Sequence, residues 1–417
     1  MKKNKLSFIL SIFLILSFTS CYNPVFYEIR KDVPPEPATF ESPITSIARY
    51  TVQGKEYLVI SSNDGVYYKE TNNAVHGSWY SLQNLPFTLH YYDSFAVEHI
   101  GQQIINVSAD DSTLFLITAQ YEPDDSYGIT KITKISVWGI QPSLSADGIT
   151  WNNCSEADWK CIIEDSDNTY FPIYDEDEYY YSAFSVFSTN APIQSHRKVF
   201  IRRGDPEVDD YNTITYYALN GMNAPVQIEA YPFIDSAEIN CANSVIYFND
   251  SFYFLNSRAS ITNETYASEA ARFYYNNEND IYSNNADNSL ETTCTVNVGN
   301  PVSSLAYCTD ALLIARANYD NTSSATSSSE GGIFKVNISN GNLDSTLATF
   351  TTNAEFQLPS AYFVPVVLNA TPDRTEAESY LYATTIIFGS DVSSSAASYK
   401  NVGLWSYYPE RGNWNRE

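Results

Sequence analysis

The residues able to do chemistry in this chain are runs of carboxylates, histidines set singly, and cysteines at wide spacing. Glu164-Asp165-Ser166-Asp167, with Asp175-Glu176-Asp177-Glu178 downstream, offers hard oxygen ligands of the type that hold Ca²⁺. The run lacks the ordered acids, glycine and closing glutamate of an EF-hand loop, and a solvated acidic loop explains it more simply. Apart from Ca²⁺ no cofactor is expected. Glycoside hydrolysis needs two carboxyl groups roughly 5–10 Å apart, and chain spacing does not specify that distance. His76, His90, His99 and His196 fall singly and read as loop or surface residues, not as bases or ligands. No G-x-S-x-G, H-E-x-x-H, P-loop or G-x-G-x-x-G pattern occurs. Tyr179-Tyr180-Tyr181 and Tyr274-Tyr275 could present stacking faces to sugars or to a protein.

The cysteines admit two readings. Cys154 and Cys161 could close a small disulfide loop in an oxidising compartment, and Cys294 with Cys308 is a second candidate pair. Buried free thiols are the simpler account, and the preferred one for Cys241. No histidine accompanies any of them, so a metal site is not expected. At the front, Lys2, Lys3 and Lys5 precede an apolar run from Leu6 to Phe18. That run is too short for a membrane span, which takes about 20 residues, but it suits the core of a secretory signal. Phe18-Thr19-Ser20-Cys21 then resembles the lipobox of bacterial lipoproteins, in the relaxed form seen in spirochaetes, with Phe18 where the usual pattern has Leu. The resemblance implies removal of residues 1–20, lipidation of Cys21, and an exported protein anchored to a bacterial membrane, the outer in preference to the inner. Two or more acyl chains anchor stably, at about 0.8 kcal/mol per buried methylene. Residues 21–43, with Val33-Pro34-Pro35-Glu36-Pro37-Ala38 and Pro43, form an extended tether.

The body, residues 44–417, must position whatever these residues do. Ile44 to Leu82 reads as four short strands, Ile44–Val52, Glu56–Ser61, Val66–Glu70 and Trp79–Leu82. Gln53–Gly54, Asn63-Asp64-Gly65 and an Asn-rich loop ending at Gly77 separate them. Four antiparallel strands in that length make one β-propeller blade. A second unit takes Gln102–Ser108, Thr113–Gln120, Ile129–Trp138 and Ile149–Asn152. The third takes Trp159–Ile163, Tyr179–Ser188, Lys198–Arg202 and Thr213–Leu219. Three more follow, beginning near Ile239, Val302 and Ala361. The spacing predicts an all-β chain, a single propeller of six to seven four-stranded blades. Asn276–Asn288, Asn318–Gly332 and Ser390–Tyr399 are polar low-complexity connectors.

Ser145-Ala146-Asp147-Gly148-Ile149-Thr150-Trp151 resembles the Asp-box turn of sialidase-type and related propellers, one residue short before the glycine. Ser62-Asn63-Asp64-Gly65-Val66-Tyr67-Tyr68 is a looser echo. The resemblance implies structural roles for Asp64, Gly65, Ser145, Asp147, Gly148 and Trp151: the acid ties down a hairpin and the aromatic packs in the blade. It implies no sialidase activity, because Phe26-Tyr27-Glu28-Ile29-Arg30 does not match the F/Y-R-I-P setting of the carboxylate-binding arginine.

Composition narrows the partners. The 417-residue chain carries a formal charge of −26. Removing residues 1–20 takes away three lysines and no acids, so the charge becomes −29. No basic stripe exists to displace counterions from phosphates, so nucleic acid is not an expected partner. A second electrostatic contact with anionic lipid is equally unexpected. With 34 Tyr, 22 Phe and 2 Met the composition is that of a β protein. The expected function is a monomeric, non-catalytic binding or scaffolding module for a protein or glycan partner, held at the membrane by its lipid. The rival is a propeller hydrolase or lyase acting on glycans through acids near the central channel. Replacing Cys21 by alanine is expected to move the protein from the membrane pellet to the soluble fraction on cell fractionation; continued sedimentation with membranes would refute the anchor.

Overall fold

Ile44–Val52 and Lys55–Ser62 pair antiparallel across Gln53–Gly54, where both residues have positive φ, +47° and +81°. This is the geometry a two-residue hairpin demands, and glycine supplies half of it without strain. Gly65–Glu70 and Tyr80–Ser81 complete an antiparallel sheet whose order is the order of the chain. The structure, a computed structural model, describes residue 40 and most of 44–417. It leaves aside residues 1–39, 41–43 and the segments 72–78, 93–97, 125–128, 166–171, 175–179, 204–214, 229–241, 278–290, 298–301, 317–331, 351–362 and 388–402, with shorter gaps.

Among the described residues five further four-stranded antiparallel sheets follow. Sheet two is Gln103–Ala109, Leu114–Asp124, Ile129–Ile140 and Lys160–Asp165. Sheet three is Phe184–Ser188, Val199–Arg203, Thr215–Ala218 and Val226–Ile228. Sheet four is Ala242–Phe248, Ser251–Asn256, Ala270–Asn277 and Glu291–Asn297. Sheet five is Val302–Tyr307, Ala311–Arg316, Gly332–Ser339 and Asn342–Thr349. Sheet six is Phe363–Asn369, Leu381–Ile387, Gly403–Tyr408 and Asn413–Arg416. The chain is all-β with its sheets in a propeller arrangement.

Strand assignments differ from the sequence reading: Val226–Ile228 closes sheet three and Glu291–Asn297 closes sheet four, and sheet two changes its edge. Ile149–Asn152 does not close sheet two; Trp151–Asn152 instead pairs with Ser143–Leu144 in a two-stranded ribbon. The fourth strand of sheet two is Lys160–Asp165, which the spacing placed in the third unit. The ribbon is an insertion between the third and fourth strands, and repeat counting has no means of telling an inserted hairpin from a sheet edge.

Apolar side chains fill the contacts described between neighbouring sheets. Tyr50, Tyr57, Val59 and Tyr68 of sheet one pack against Val107, Leu114 and Leu116 of sheet two. Ile117, Ile135 and Val137 of sheet two meet Val199 and Ile201 of sheet three. Ile246 of sheet four joins Leu312 and Val336 of sheet five, and Leu313 and Ala315 of sheet five join Leu381 and Trp405 of sheet six. Ile47, Leu58 and Ile60 on the other face of sheet one meet Tyr382, Leu404 and Tyr408 of sheet six. The first strand of each sheet touches that of the next, and Phe363–Asn369 touches Ile44–Val52.

Phe40, 4 % exposed, is sealed into the contact between sheets six and one, its ring 4.9 Å from Tyr67 and 5.4 Å from Trp79, both edge-on. Truncating a buried phenylalanine removes transfer energy and leaves a cavity. Phe40→Ala is therefore expected to destabilise the protein by roughly 3–5 kcal/mol in urea denaturation; a change below about 1 kcal/mol, the scale of a surface substitution, would mean the ring is not part of the core.

Candidate functional site

In sheets that run up and down, the connectors between first and second strands and between third and fourth strands all emerge at one end. Residues from sheets one, three and six meet at that end around one carboxylate. Arg49, on the first strand of sheet one, is 2 % exposed. Its Nε donates to Asn369 Oδ1 and to the Ala370 carbonyl, both at 3.0 Å, in sheet six and the connector after its first strand. Its Nη1 donates to Glu56 Oε2 at 2.8 Å. Arg197, in the connector after the first strand of sheet three, is 3 % exposed and bonds the other oxygen, Glu56 Oε1. The Arg197 Nη1 donates to Thr51 Oγ1 at 3.1 Å and its Nε to the Ala191 carbonyl at 3.0 Å.

Register explains the placement. Glu56 lies opposite Thr51, and Arg49 opposite Leu58, so the polar cluster shares the face of sheet one that turns toward sheet six. Two guanidinium groups with one carboxylate leave a positive charge near the ring end, and Asp373 lies close enough to Arg197 to act on it electrostatically. Burial pushes the Glu56 carboxyl up, but Arg49 and Arg197 outweigh it and hold it below the usual carboxylate range. Burial in turn lowers the Arg197 guanidinium from its ordinary value, against the attraction of Glu56.

This chemistry suits structure better than proton transfer. A general acid at neutral pH needs a carboxyl raised toward the working pH. Glu56 is displaced the other way. Asp110 is raised by burial, yet it accepts from the backbone amides of Ser112 at 2.8 Å, Thr113 at 2.7 Å and Gly221 at 2.8 Å. It ties the first turn of sheet two to the connector of sheet three.

A second ion pair lies between sheets one and six. Lys69 Nζ, on a residue 3 % exposed, donates to Glu417 Oε2 at 2.9 Å, and Trp79 Nε1 donates to the same oxygen at 3.1 Å. Tyr408 Oη donates to Glu417 Oε1 at 3.3 Å and bonds Tyr382 Oη. Burial opposes the charge on Glu417, and Lys69 restores it, so this carboxyl too stays below its ordinary value.

The residues singled out from sequence do not converge on either cluster. Asp64 lies in the turn between the second and third strands of sheet one, at the opposite end, and accepts from Ser62 Oγ and from Tyr67 Oη at 3.3 Å. Gly65 pairs with Ser62 at the start of the third strand. Ser145 Oγ bonds Asp147 Oδ1 and accepts from the Thr150 amide at 3.0 Å, while Gly148, φ +69°, donates its amide to the Ser145 carbonyl at 2.8 Å. This hairpin hooks over the first turn of sheet one: Lys55 Nζ donates to the Gly148 carbonyl at 3.0 Å and the Leu144 amide to Gln53 Oε1 at 3.3 Å. Trp151 stacks on Tyr68 at 4.1 Å and 11°, and its amide donates to Tyr68 Oη at 3.1 Å.

Cys154 and Cys161 are free thiols; the first donates to the Asn152 carbonyl at 3.5 Å and the second to that of Ile163 at 3.3 Å. Cys308 is also free and is fully buried. Glu164 pairs with Lys134 at 2.9 Å, and Asp165 is buried. Asp167 and the run from Asp175 to Glu178 lie outside the described residues, as do Cys21, Cys241, His76 and His90. Among the described residues no three His, Cys, Asp or Glu side chains gather as a metal would require, and no helix is long and apolar enough to cross a membrane.

No protein-family profile matches the sequence, and no curated protein matches it. Solved structures with a similar chain path include a glycoside hydrolase family 43 arabinoxylan arabinofuranohydrolase from Bacillus subtilis, at 10 % identity and a TM-score of 0.37, covering 81 % of this chain and 69 % of that one. The Trypanosoma rangeli sialidase aligns at 8 % identity and TM-score 0.40, over 84 % of this chain and 54 % of its own. A structure titled Dos1 propeller aligns at 11 % identity and TM-score 0.36, over 85 % and 93 %. Likeness at this level carries no argument about activity.

The Glu56 cluster predicts a pH dependence. The folded-state carboxyl lies below its unfolded value of about 4.3. Its contribution is therefore complete above that value and is lost as pH falls through the folded one. Glu56→Gln is expected to cost roughly 3–5 kcal/mol at pH 7, since two buried guanidinium groups lose their counter-charge. The same variant should show a shallower stability loss between about pH 5 and pH 3. Urea denaturation of both proteins across that range checks it; parallel pH curves would show that Glu56 does not carry the dependence.

Proposed function

We propose that this chain is a lipid-anchored envelope protein whose six four-stranded sheets are the blades of one closed propeller. The propeller binds a protein or glycan partner without transforming it. The circuit of first-strand contacts, returning from Phe363–Asn369 to Ile44–Val52, supports the six-blade count. The anchor enters through Cys21 and the apolar run before it. The observation that carries the non-catalytic reading is the pairing of Arg49, Glu56 and Arg197 with one another and with Thr51, Asn369 and main-chain carbonyls. Groups so committed offer a substrate neither a free guanidinium fork nor a proton. The contact regions are the connectors at the ends of the blades, which differ in length and sequence while the strands between them serve the core.

The test uses full-length protein in detergent, immobilised and exposed to cell-envelope glycans and to envelope proteins in parallel. Retention of a partner with no new reducing ends or unsaturated sugar products is the expected outcome. Time-dependent release of such products, abolished by heat denaturation, would replace the binding reading with the hydrolase or lyase one.

A further inference from the structure

We infer that residues 191–198, in the connector between the first two strands of sheet three, form a strap latched across one end of the ring, with Arg197 as its catch. The inference rests on the six-blade closure proposed above. Sheet two separates sheet three from sheet one along the circuit. Arg197 nevertheless reaches Thr51, on the first and innermost strand of sheet one, and Glu56 beside it. A side chain that joins the inner strands of non-neighbouring blades passes over the end of the axis, because the route round the rim is filled by sheet two. Glu56 hands the link on to Arg49, and Arg49 to Asn369 and Ala370 of sheet six.

The strap is stiff within itself. The Arg197 amide donates to the Gln194 carbonyl and the His196 amide to that of Ile193, both at 3.0 Å. Arg197 Nε holds the Ala191 carbonyl at 3.0 Å, and Thr189 Oγ1 donates to the His196 carbonyl at 2.9 Å while accepting from the Lys198 amide at 3.0 Å. The base is fixed by the His196 ring against Tyr247 of sheet four, 4.2 Å between centroids. Outside the latch, Gln194 Nε2 donates to the Asp111 carbonyl on the first turn of sheet two. A segment rigid in itself and joined to other sheets through side-chain bonds opens as a unit when those bonds are released. Released, it gives up its bonds to Thr51 and Glu56.

The strap also carries Ile193, 59 % exposed, the one large apolar side chain that stands out among the described residues. An apolar group at the tip of a latched segment is where a partner gains contact area that differs between the closed and open states, and only such a difference shifts the balance between them.

Hydrogen exchange on the full-length protein in detergent tests the latch. Arg197→Met is expected to raise exchange at residues 191–198 by about tenfold or more, with the strands of sheets two, four and five unchanged. Arg197→Lys, which keeps charge but not the planar fork, should fall between, and Ile193→Ser should match the natural protein. Unchanged exchange at 191–198 in Arg197→Met would overturn the strap, and so would a uniform rise over all six sheets, the behaviour of an ordinary core ion pair. Exchange in the unsubstituted protein at Ile44–Val52 and Phe363–Asn369 reads the ring separately: rapid exchange there would defeat the six-blade closure whatever the strap does.

Discussion

The contacts described between neighbouring sheets are apolar, and that single constraint organises the rest. A sheet with one covered face could end a stack, but a sheet with two must have a neighbour on each side. Arranging sheets radially satisfies all of them only if the last meets the first. Phe40, Ile47, Leu58 and Ile60 of the leading segment meet Tyr382, Leu404 and Tyr408 of sheet six.

That closing contact is made without a shared strand, since sheet one is drawn wholly from residues 44–81 and sheet six wholly from 363–416. Main-chain hydrogen bonds therefore do not cross it as a ladder would. Side chains take their place: Arg49 to Asn369 and Ala370, and Glu417 to Lys69 and Trp79. Burying ions in this way is a poor source of net stability, because desolvation consumes most of the attraction. Its effect is on register and selection. A slipped or mispaired neighbour would strand a guanidinium in an apolar face, which costs far more than a lost methyl contact. The acidic chain thus places its few buried cations where the identity of the neighbour matters.

The same economy bears on function. Arg49, Glu56 and Arg197 are the residues whose types and convergence most resemble a reactive centre, yet their bonds run to one another, to Thr51 and Asn369 and to main-chain carbonyls. The Ser145–Trp151 hairpin behaves likewise: its serine, aspartate and glycine bond one another, and Trp151 lies between sheets one and two. Among the described residues, the polar clusters between sheets are directed inward, at holding the sheets together.

Local patterns carried much of the fold. Alternation of apolar residues at period two, with Gln53–Gly54 supplying a positive-φ turn, determined that Ile44–Ser62 is a hairpin and that similar units recur. They did not determine which strand belongs to which sheet: Lys160–Asp165 and the ribbon at Ser143–Asn152 exchange roles because an edge strand and an inserted hairpin have the same local signature. The proposed anchor at Phe18-Thr19-Ser20-Cys21 rests on sequence alone. The Arg49–Glu56–Arg197 cluster belongs wholly to the tertiary structure. Its members lie 141 and 320 positions from their partners in sheets three and six, and are single charged residues in otherwise ordinary strands and connectors. Strand period and turn type are properties of a few neighbouring residues, whereas the meeting of charges across a ring exists only once the ring has closed.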